Sequence, residues 1–202
     1  MRNDFIAALK NHQPKFGLEL PDDAIERLAD YYALILEHNP IMHLVGPCSP
    51  EEFANRHILE SLTLLEYLPE NTRFADVGAG AGLPSIPCLL VREDLKAILI
   101  ESKEKKSKFL KMTVESLKLK YRTRIAVQQF QEADLAHTQA VTCRALDKFT
   151  EKLPGLIRWS AGTKLLLFGG DNLRTALQTA KMRFDEKLMP MSEKRFLFVI
   201  AR

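Results

Sequence analysis

Gly78, Gly80 and Gly82 alternate directly after the apolar run Phe74-Ala75-Asp76-Val77, and a second apolar run, Ile98-Leu99-Ile100, ends on Glu101. Glycines are needed where a backbone turns sharply or lies close to a ligand. An acid at the tip of the neighbouring strand can accept both hydroxyls of a ribose. Together these residues predict a nucleotide-sized pocket at adjoining strand tips. A dinucleotide fingerprint would carry glycine or alanine at position 83, but this chain has Leu83, followed by Pro84-Ser85-Ile86-Pro87. Two prolines suit a short, abruptly started helix. The loop therefore fits an adenosine ligand without phosphates better than a pyrophosphate. S-adenosylmethionine meets that description, with its ribose diol on Glu101. A tight strand-to-helix turn without a ligand is the alternative reading of the glycines alone.

These residues need strands to hold them. From Thr72 onward the texture alternates between strand and helix. Strands are predicted at Phe74–Val77, Lys96–Glu101, Arg124–Gln128, Ala140–Arg144, Lys164–Phe168, Arg183–Leu188 and Arg195–Ala201, with helices at Pro84–Val91, Lys103–Leu119, Asp147–Trp159 and Asn172–Lys181. Such alternation implies an α/β fold: a mostly parallel sheet with helices on both faces. No helical pattern separates the last two strands, so a terminal hairpin leaves one antiparallel strand. Upstream, Ile25, Leu28, Tyr32, Ile35 and Leu36 recur at helical spacing between Pro21 and a stop at Asn39-Pro40. A shorter helix covers Phe5 to Lys10. Ser49-Pro50-Glu51-Glu52 reads as a helix start, with Ser49 as cap and Glu52 completing a capping box. The expected division is a helical extension over 1–70, packed on a core domain over 71–202.

Composition bounds the rest. The chain has 202 residues, 46% hydrophobic and 27% charged, which fits one folded domain with an extension. No apolar run is long enough to cross a bilayer, and Met1-Arg2-Asn3-Asp4-Phe5 lacks a signal-peptide core. Cys48, Cys88 and Cys143 form neither a disulfide framework nor a metal spacing, so a reducing cytoplasm and no metal are expected. Net charge is only +3, yet residues 96–124 hold ten Lys/Arg and three acids, while residues 1–60 hold ten acids and five Lys/Arg. A basic face suits an anionic polymer, and a solvated helix surface is the plainer reading. Lys118, Lys120, Arg122 and Arg124 read as such a surface, away from the strand tips.

Two further segments complete a pattern. Asn55-Arg56-His57-Ile58-Leu59-Glu60-Ser61-Leu62 precedes the glycine loop, and Thr142-Cys143-Arg144-Ala145 ends the fourth strand. With DVGAGAGLPSIP, these segments resemble the bacterial small-subunit ribosomal RNA methyltransferase G family, also called glucose-inhibited division protein B. The similarity runs from about Glu37 to the end. It implies a seven-stranded Rossmann-like methyltransferase sheet and methylation of guanine N7 in 16S ribosomal RNA by S-adenosylmethionine. The implied partner is that RNA or the small ribosomal subunit, met by a cytoplasmic monomer with no metal and no membrane. The implied cofactor contacts are Asp76, Gly78, Gly80, Gly82, Leu83, Glu101, Ser102, Gln131, Glu132 and Arg144. Lys105 and Lys106 are the implied RNA contacts, and Arg56, His57 and Arg144 the polar candidates at the pocket mouth.

The pattern departs from the family at His43, Phe130, Gln139 and Phe168, where the family commonly has Asn, Arg, Asp and Lys. Losing two basic residues bears on substrate choice. Guanine N7 carries a lone pair and no proton, so its methylation needs alignment rather than a general base, and no catalytic dyad is seen. Arg56 and Glu60, four apart, are expected to share a helix face. Three other readings stay open. They are the same scaffold acting on another RNA or a small molecule, a non-catalytic RNA-binding assembly factor, and a nicotinamide-dependent oxidoreductase. Leu83-Pro84 argues against the last.

Overall fold

Strands β1 (Arg73–Val77), β2 (Lys96–Ile100), β3 (Thr123–Ala126), β4 (Ala140–Cys143), β5 (Lys164–Gly169), β6 (Asp185–Leu188) and β7 (Phe196–Ile200) build one sheet in the order β3-β2-β1-β4-β5-β7-β6. The computed structural model describes residues 1–135, 137–144, 146 and 148–201. Among them β7 alone runs against the other strands, pairing antiparallel with both β5 and β6. The predicted seven-stranded, mostly parallel sheet with its terminal hairpin is therefore observed.

Alternation along each strand feeds two apolar layers. Phe74, Ala97, Leu99, Leu166, Leu197 and Val199 face one cluster, and Ala75, Val77, Ile98, Ile100, Leu165, Phe198 and Ile200 face the other. Strands buried on both faces need a near-continuous apolar sequence, as Lys-Ala-Ile-Leu-Ile in β2 provides. The first layer is covered by α1 (Arg2–His12), α2 (Asp22–Met42), α5 (Ser85–Val91) and α6 (Glu104–Ser116), with α3 (Pro50–Glu52) and α4 (Glu60–Leu62) between them. The second is covered by α7 (Phe149–Trp159) and α8 (Asp171–Thr179). Residues of α1 and α2, including Phe5, Leu9, Leu28 and Ile35, join the same apolar cluster as the sheet. Asp147, predicted to open α7, lies outside the described residues.

Two local expectations are corrected. The helix predicted to stop at Asn39-Pro40 runs on to Met42, with Pro40 inside it. The stop comes from His43, which turns left-handed at φ 49°. The Asn39 side chain fixes the exit: its Oδ1 accepts from the Leu44 and Val45 amides at 2.8 and 3.0 Å. The capping box is only half formed. Ser49 Oγ accepts from the Glu52 amide at 3.1 Å, but the Glu52 carboxylate turns outward to pair with Arg56.

The segment after α3 (Pro50–Glu52) winds as a π-helix over Phe53–Leu59, returns to α-helix in α4 (Glu60–Leu62), and tightens to a 3-10 turn over Thr63–Tyr67. Single-turn π segments recur at functional sites. This one carries Arg56 and His57.

The glycine loop leaves β1 at the point where the strand order reverses, between β1 and β4, which is where ligands bind in open α/β sheets. Gly82 has φ +95°, and a Cβ there would lie 2.3 Å from Ile86 Cδ1, on the loop's own helix. Gly82→Ala is therefore expected to cost about 2 kcal/mol or more, measured as a lower urea midpoint. Gly46→Ala, where a Cβ meets nothing within 4 Å, should leave that midpoint unchanged.

Candidate functional site

Register builds the site. Val77 pairs with Ile100, so the Gly78 and Ala79 amides both donate to the Ile100 carbonyl, at 2.9 and 3.1 Å. The chain then turns through Gly78 at φ 72° and Gly80 at φ 55°, left-handed values that glycine adopts without strain. Glu101 follows Ile100 at the next strand tip. Its two carboxylate oxygens accept from the Gly80 amide (3.0 Å) and the Lys103 amide (2.8 Å). The loop and the acid thus hold each other in place. Tyr31, fully buried in α2, donates to the Ala81 carbonyl at 2.9 Å and anchors the loop from the other side.

Two clefts flank the loop and meet at Gly78 and Lys106. One, of about 230 Å³, runs over the tips of β1, β2 and β3 and is lined by Gly78, Glu101, Ser102, Lys106, Gln128, Gln129 and Phe130. The other, of about 250 Å³, lies under the Leu44-Val45-Gly46 loop and is lined by His57, Gly80, Leu83, Lys106 and Arg144. The first lies where the sequence predicts a nucleoside pocket, at the tips of β1 and β2. The second opens on the side where Arg144 and His57 converge.

A buried carboxylate organises that second side. Glu60 is 2% exposed and meets Arg144 at 3.2 Å and Arg195 at 2.7 Å. Arg144 also donates to Ser61 Oγ (3.2 Å) and to the Arg56 carbonyl, and its guanidinium lies 5.3 Å from the Phe168 ring centroid. The expected Arg56–Glu60 pair is therefore corrected. Glu60 is turned inward to two other arginines, and Arg56, on the solvent side, pairs with Glu52. His57 sits against Phe53, and its buried Nδ1 has no hydrogen-bond partner among the described residues. Burial, reinforced by Arg144, Arg56 and Arg195, pulls its pKa down to about 3. The shift favours the neutral imidazole.

The remaining sequence candidates fall in different places. Asp76 and Gly82 line neither cleft. Asp76 is fully buried, with Ser85 Oγ donating to Oδ2 at 2.6 Å and Oδ1 without a hydrogen-bond partner among the described residues. Gln131 and Glu132 are exposed, and the cleft wall is formed one turn earlier by Gln128, Gln129 and Phe130. Those glutamines lie just past β3, separated from it by Val127, so the strand-tip rule that singled out Glu101 could have found them. Lys105 caps the end of α2 by donating to the Ile41 carbonyl at 2.7 Å, while Lys106 reaches both clefts. Arg195 and the Leu44-Val45-Gly46 loop carried no sequence signal. Ala145 lies outside the described residues.

Among the described residues no group of three or more His, Cys, Asp or Glu side chains could hold a metal ion, and no helix is long and apolar enough to cross a membrane.

Comparison with known proteins gives one consistent match. A family model described as rRNA small subunit methyltransferase G covers residues 24–193. The ribosomal RNA small subunit methyltransferase G of Sorangium cellulosum is 37% identical over 147 residues, 68% of this chain and 60% of that protein. The relative of the same description from Dichelobacter nodosus is 28% identical over 218 residues, covering 100% of this chain and 99% of its own. Other matches are partial: the chain spans 54% of the Chromobacterium violaceum relative and 47% of the Azoarcus one. Solved structures share the fold. A protein of the NADB-Rossmann superfamily from Streptococcus agalactiae aligns at TM-score 0.59 and 18% identity, over 70% of this chain and 67% of that one. P. horikoshii TYW2 in complex with MeSAdo aligns at TM-score 0.57 and 15% identity, over 71% and 61%.

Burial raises the Asp76 pKa from 3.8 to about 7, against the Ser85 hydrogen bond that lowers it. Between those two values the folded state keeps a proton that the unfolded state has lost, so Asp76 makes stability fall as pH rises through this window. Asp76→Asn is expected to flatten that fall. Urea unfolding at several pH values across the window would measure the difference in slope between variant and wild type.

Proposed function

Because the chain belongs to the rRNA small subunit methyltransferase G family, we propose that it transfers a methyl group from S-adenosylmethionine to N7 of a guanine in 16S ribosomal RNA. It does so in the cytoplasm, on the RNA itself or on the small ribosomal subunit. The supporting observation is the pair of clefts that meet at Gly78 and Lys106. One suits a nucleoside and the other has room for an acceptor base beside it.

The residues present fit such a ligand. Gly80 carries no side chain where a Cβ would stand 3.8 Å from Lys106 Nζ and 4.0 Å from Glu101 Oε2, so the loop keeps a bare backbone beside the acid. Glu101, already aligned by two amides, would take the ribose diol. Ser102, Gln128, Gln129 and Phe130 would border the purine. S-adenosylmethionine, when bound, supplies a methyl group activated by its sulfonium.

The protein's own task is alignment and water exclusion. Guanine N7 needs no deprotonation, and burial lowers the His57 pKa to about 3, which suits it to a hydrogen bond with the base rather than to proton transfer. Arg144 is locked by Glu60, Ser61 and Phe168. It positions the mouth of the acceptor cleft and presents positive charge to phosphate. Well-oriented reactants alone lower a barrier by roughly 7–11 kcal/mol.

The test is transfer of label from radioactive S-adenosylmethionine to small subunits that lack their own modification. Label is expected at one guanine N7, and Gly80→Asp, which sets a second carboxylate beside Glu101, should abolish it. No label from wild-type protein that still binds the cofactor in calorimetry would end the ribosomal RNA reading. Glu101→Gln is expected to weaken cofactor binding about tenfold or more, since it removes a charge-assisted acceptor. The same calorimetry measures it.

A further inference from the structure

The β3-to-β4 crossover carries, among the described residues, only the turn Phe130–Glu132, whereas the β4-to-β5 and β5-to-β6 crossovers carry α7 and α8. A groove of about 250 Å³ opens at the N-terminal end of β1, β2 and β3, on the opposite edge from the glycine loop. Strand alternation and register place Arg73, Lys96 and Arg124 on the same sheet face as Ile98: Arg73 pairs with Lys96, and Ile98 with Arg124. No carboxylate lines the groove. None of these three cations makes an ion pair among the described residues, and the acids nearby in sequence are engaged elsewhere: Asp94 by Arg92, Glu93 by Arg27.

At the rim stands Tyr121, 97% exposed. Its neighbour Arg122 does not join the basic surface expected from sequence. It turns inward and donates to the carbonyls of Leu89 (2.9 Å), Arg92 (3.0 Å) and Leu95 (3.3 Å). The turn Lys120–Arg122 is thereby pinned, and the ring of Tyr121 is presented to solvent on a fixed backbone. An exposed aromatic ring flanked by unpaired cations is the composition of a surface that stacks bases and holds phosphates.

We propose that this groove is a second RNA contact. Tyr121 stacks on an unpaired base, and Arg73, Lys96 and Arg124 hold the adjoining phosphates. It lies roughly 15 Å, about one strand length, from the methyl-transfer site. A small-molecule acceptor would never reach it, whereas a folded RNA segment spans that distance. The proposal rests on the RNA reading of the site above.

Two measurements test it: filter binding of an unmodified 16S ribosomal RNA transcript over a salt series, and steady-state methyl transfer to unmodified small subunits. Tyr121→Ala should weaken transcript binding about tenfold, with Tyr121→Phe restoring it. Arg124→Glu should reduce the slope of log affinity against log salt by about 1. In methyl transfer, KM should rise by a similar factor in both variants while kcat holds. Wild-type activity with affinity, salt slope and KM unchanged in both variants would overturn the groove contact alone. Wild-type protein that neither binds the transcript nor labels subunits would overturn the RNA reading and this proposal together.

Discussion

One buried carboxylate ties the site together. Glu60 lies in the short α4, Arg144 just beyond β4, and Arg195 just before β7, and the two arginines meet on Glu60's two oxygens. Without the acid, two guanidiniums would face each other with no counter-charge. Breaking a buried pair of this kind costs about 3–5 kcal/mol. The acid therefore fixes the mouth of the second cleft as well as the packing of the helical layer on the sheet. Burial, reinforced by these arginines, also lowers the His57 pKa. Phe168, where the resembling family commonly has lysine, gives the Arg144 guanidinium a ring face instead of a second cation. The departure fits its surroundings.

A second economy lies in the two acids of the nucleotide side. Asp76 and Glu101 both lie near the ends of central strands, yet their environments assign them different work. Asp76 is sealed beneath the loop with Ser85 as its partner, and burial raises its pKa. Glu101 stands at the edge of the cleft with two backbone amides on its carboxylate. The loop glycines divide similarly: Gly78 and Gly80 border the clefts, while Gly82 is required by contact with Ile86. A ligand would meet a loop whose hydrogen bonds are already made, so little ordering cost remains for binding.

Local pattern was most legible where a residue's own neighbours decide its conformation. Alternating apolar strands, the glycine turn and the absence of a helix before the last strand all followed from spacing. The helix stop was misplaced because proline within the final turn loses only one internal hydrogen bond. The side chain of Asn39, reaching forward to Leu44 and Val45, sets the end instead. The Arg56–Glu60 pairing failed for a related reason. Spacing on a helix says which side chains can meet, but not that arginines 84 and 135 positions away will reach the acid.

By itself the sequence determined the α/β sheet, the order of its elements, the glycine loop and the acid that faces it, because each rests on periodicity or on a short motif at the end of an apolar strand. Only the tertiary structure decided the convergence of Glu60, Arg144, Arg195 and His57. It also placed Gln128 and Gln129 in the cleft, rather than Gln131 and Glu132, and turned Arg122 inward beneath an exposed Tyr121. Those outcomes depend on which distant segments share a buried volume, and a charge goes where a partner can compensate its lost hydration. That balance is struck between elements, and no single stretch of chain contains it.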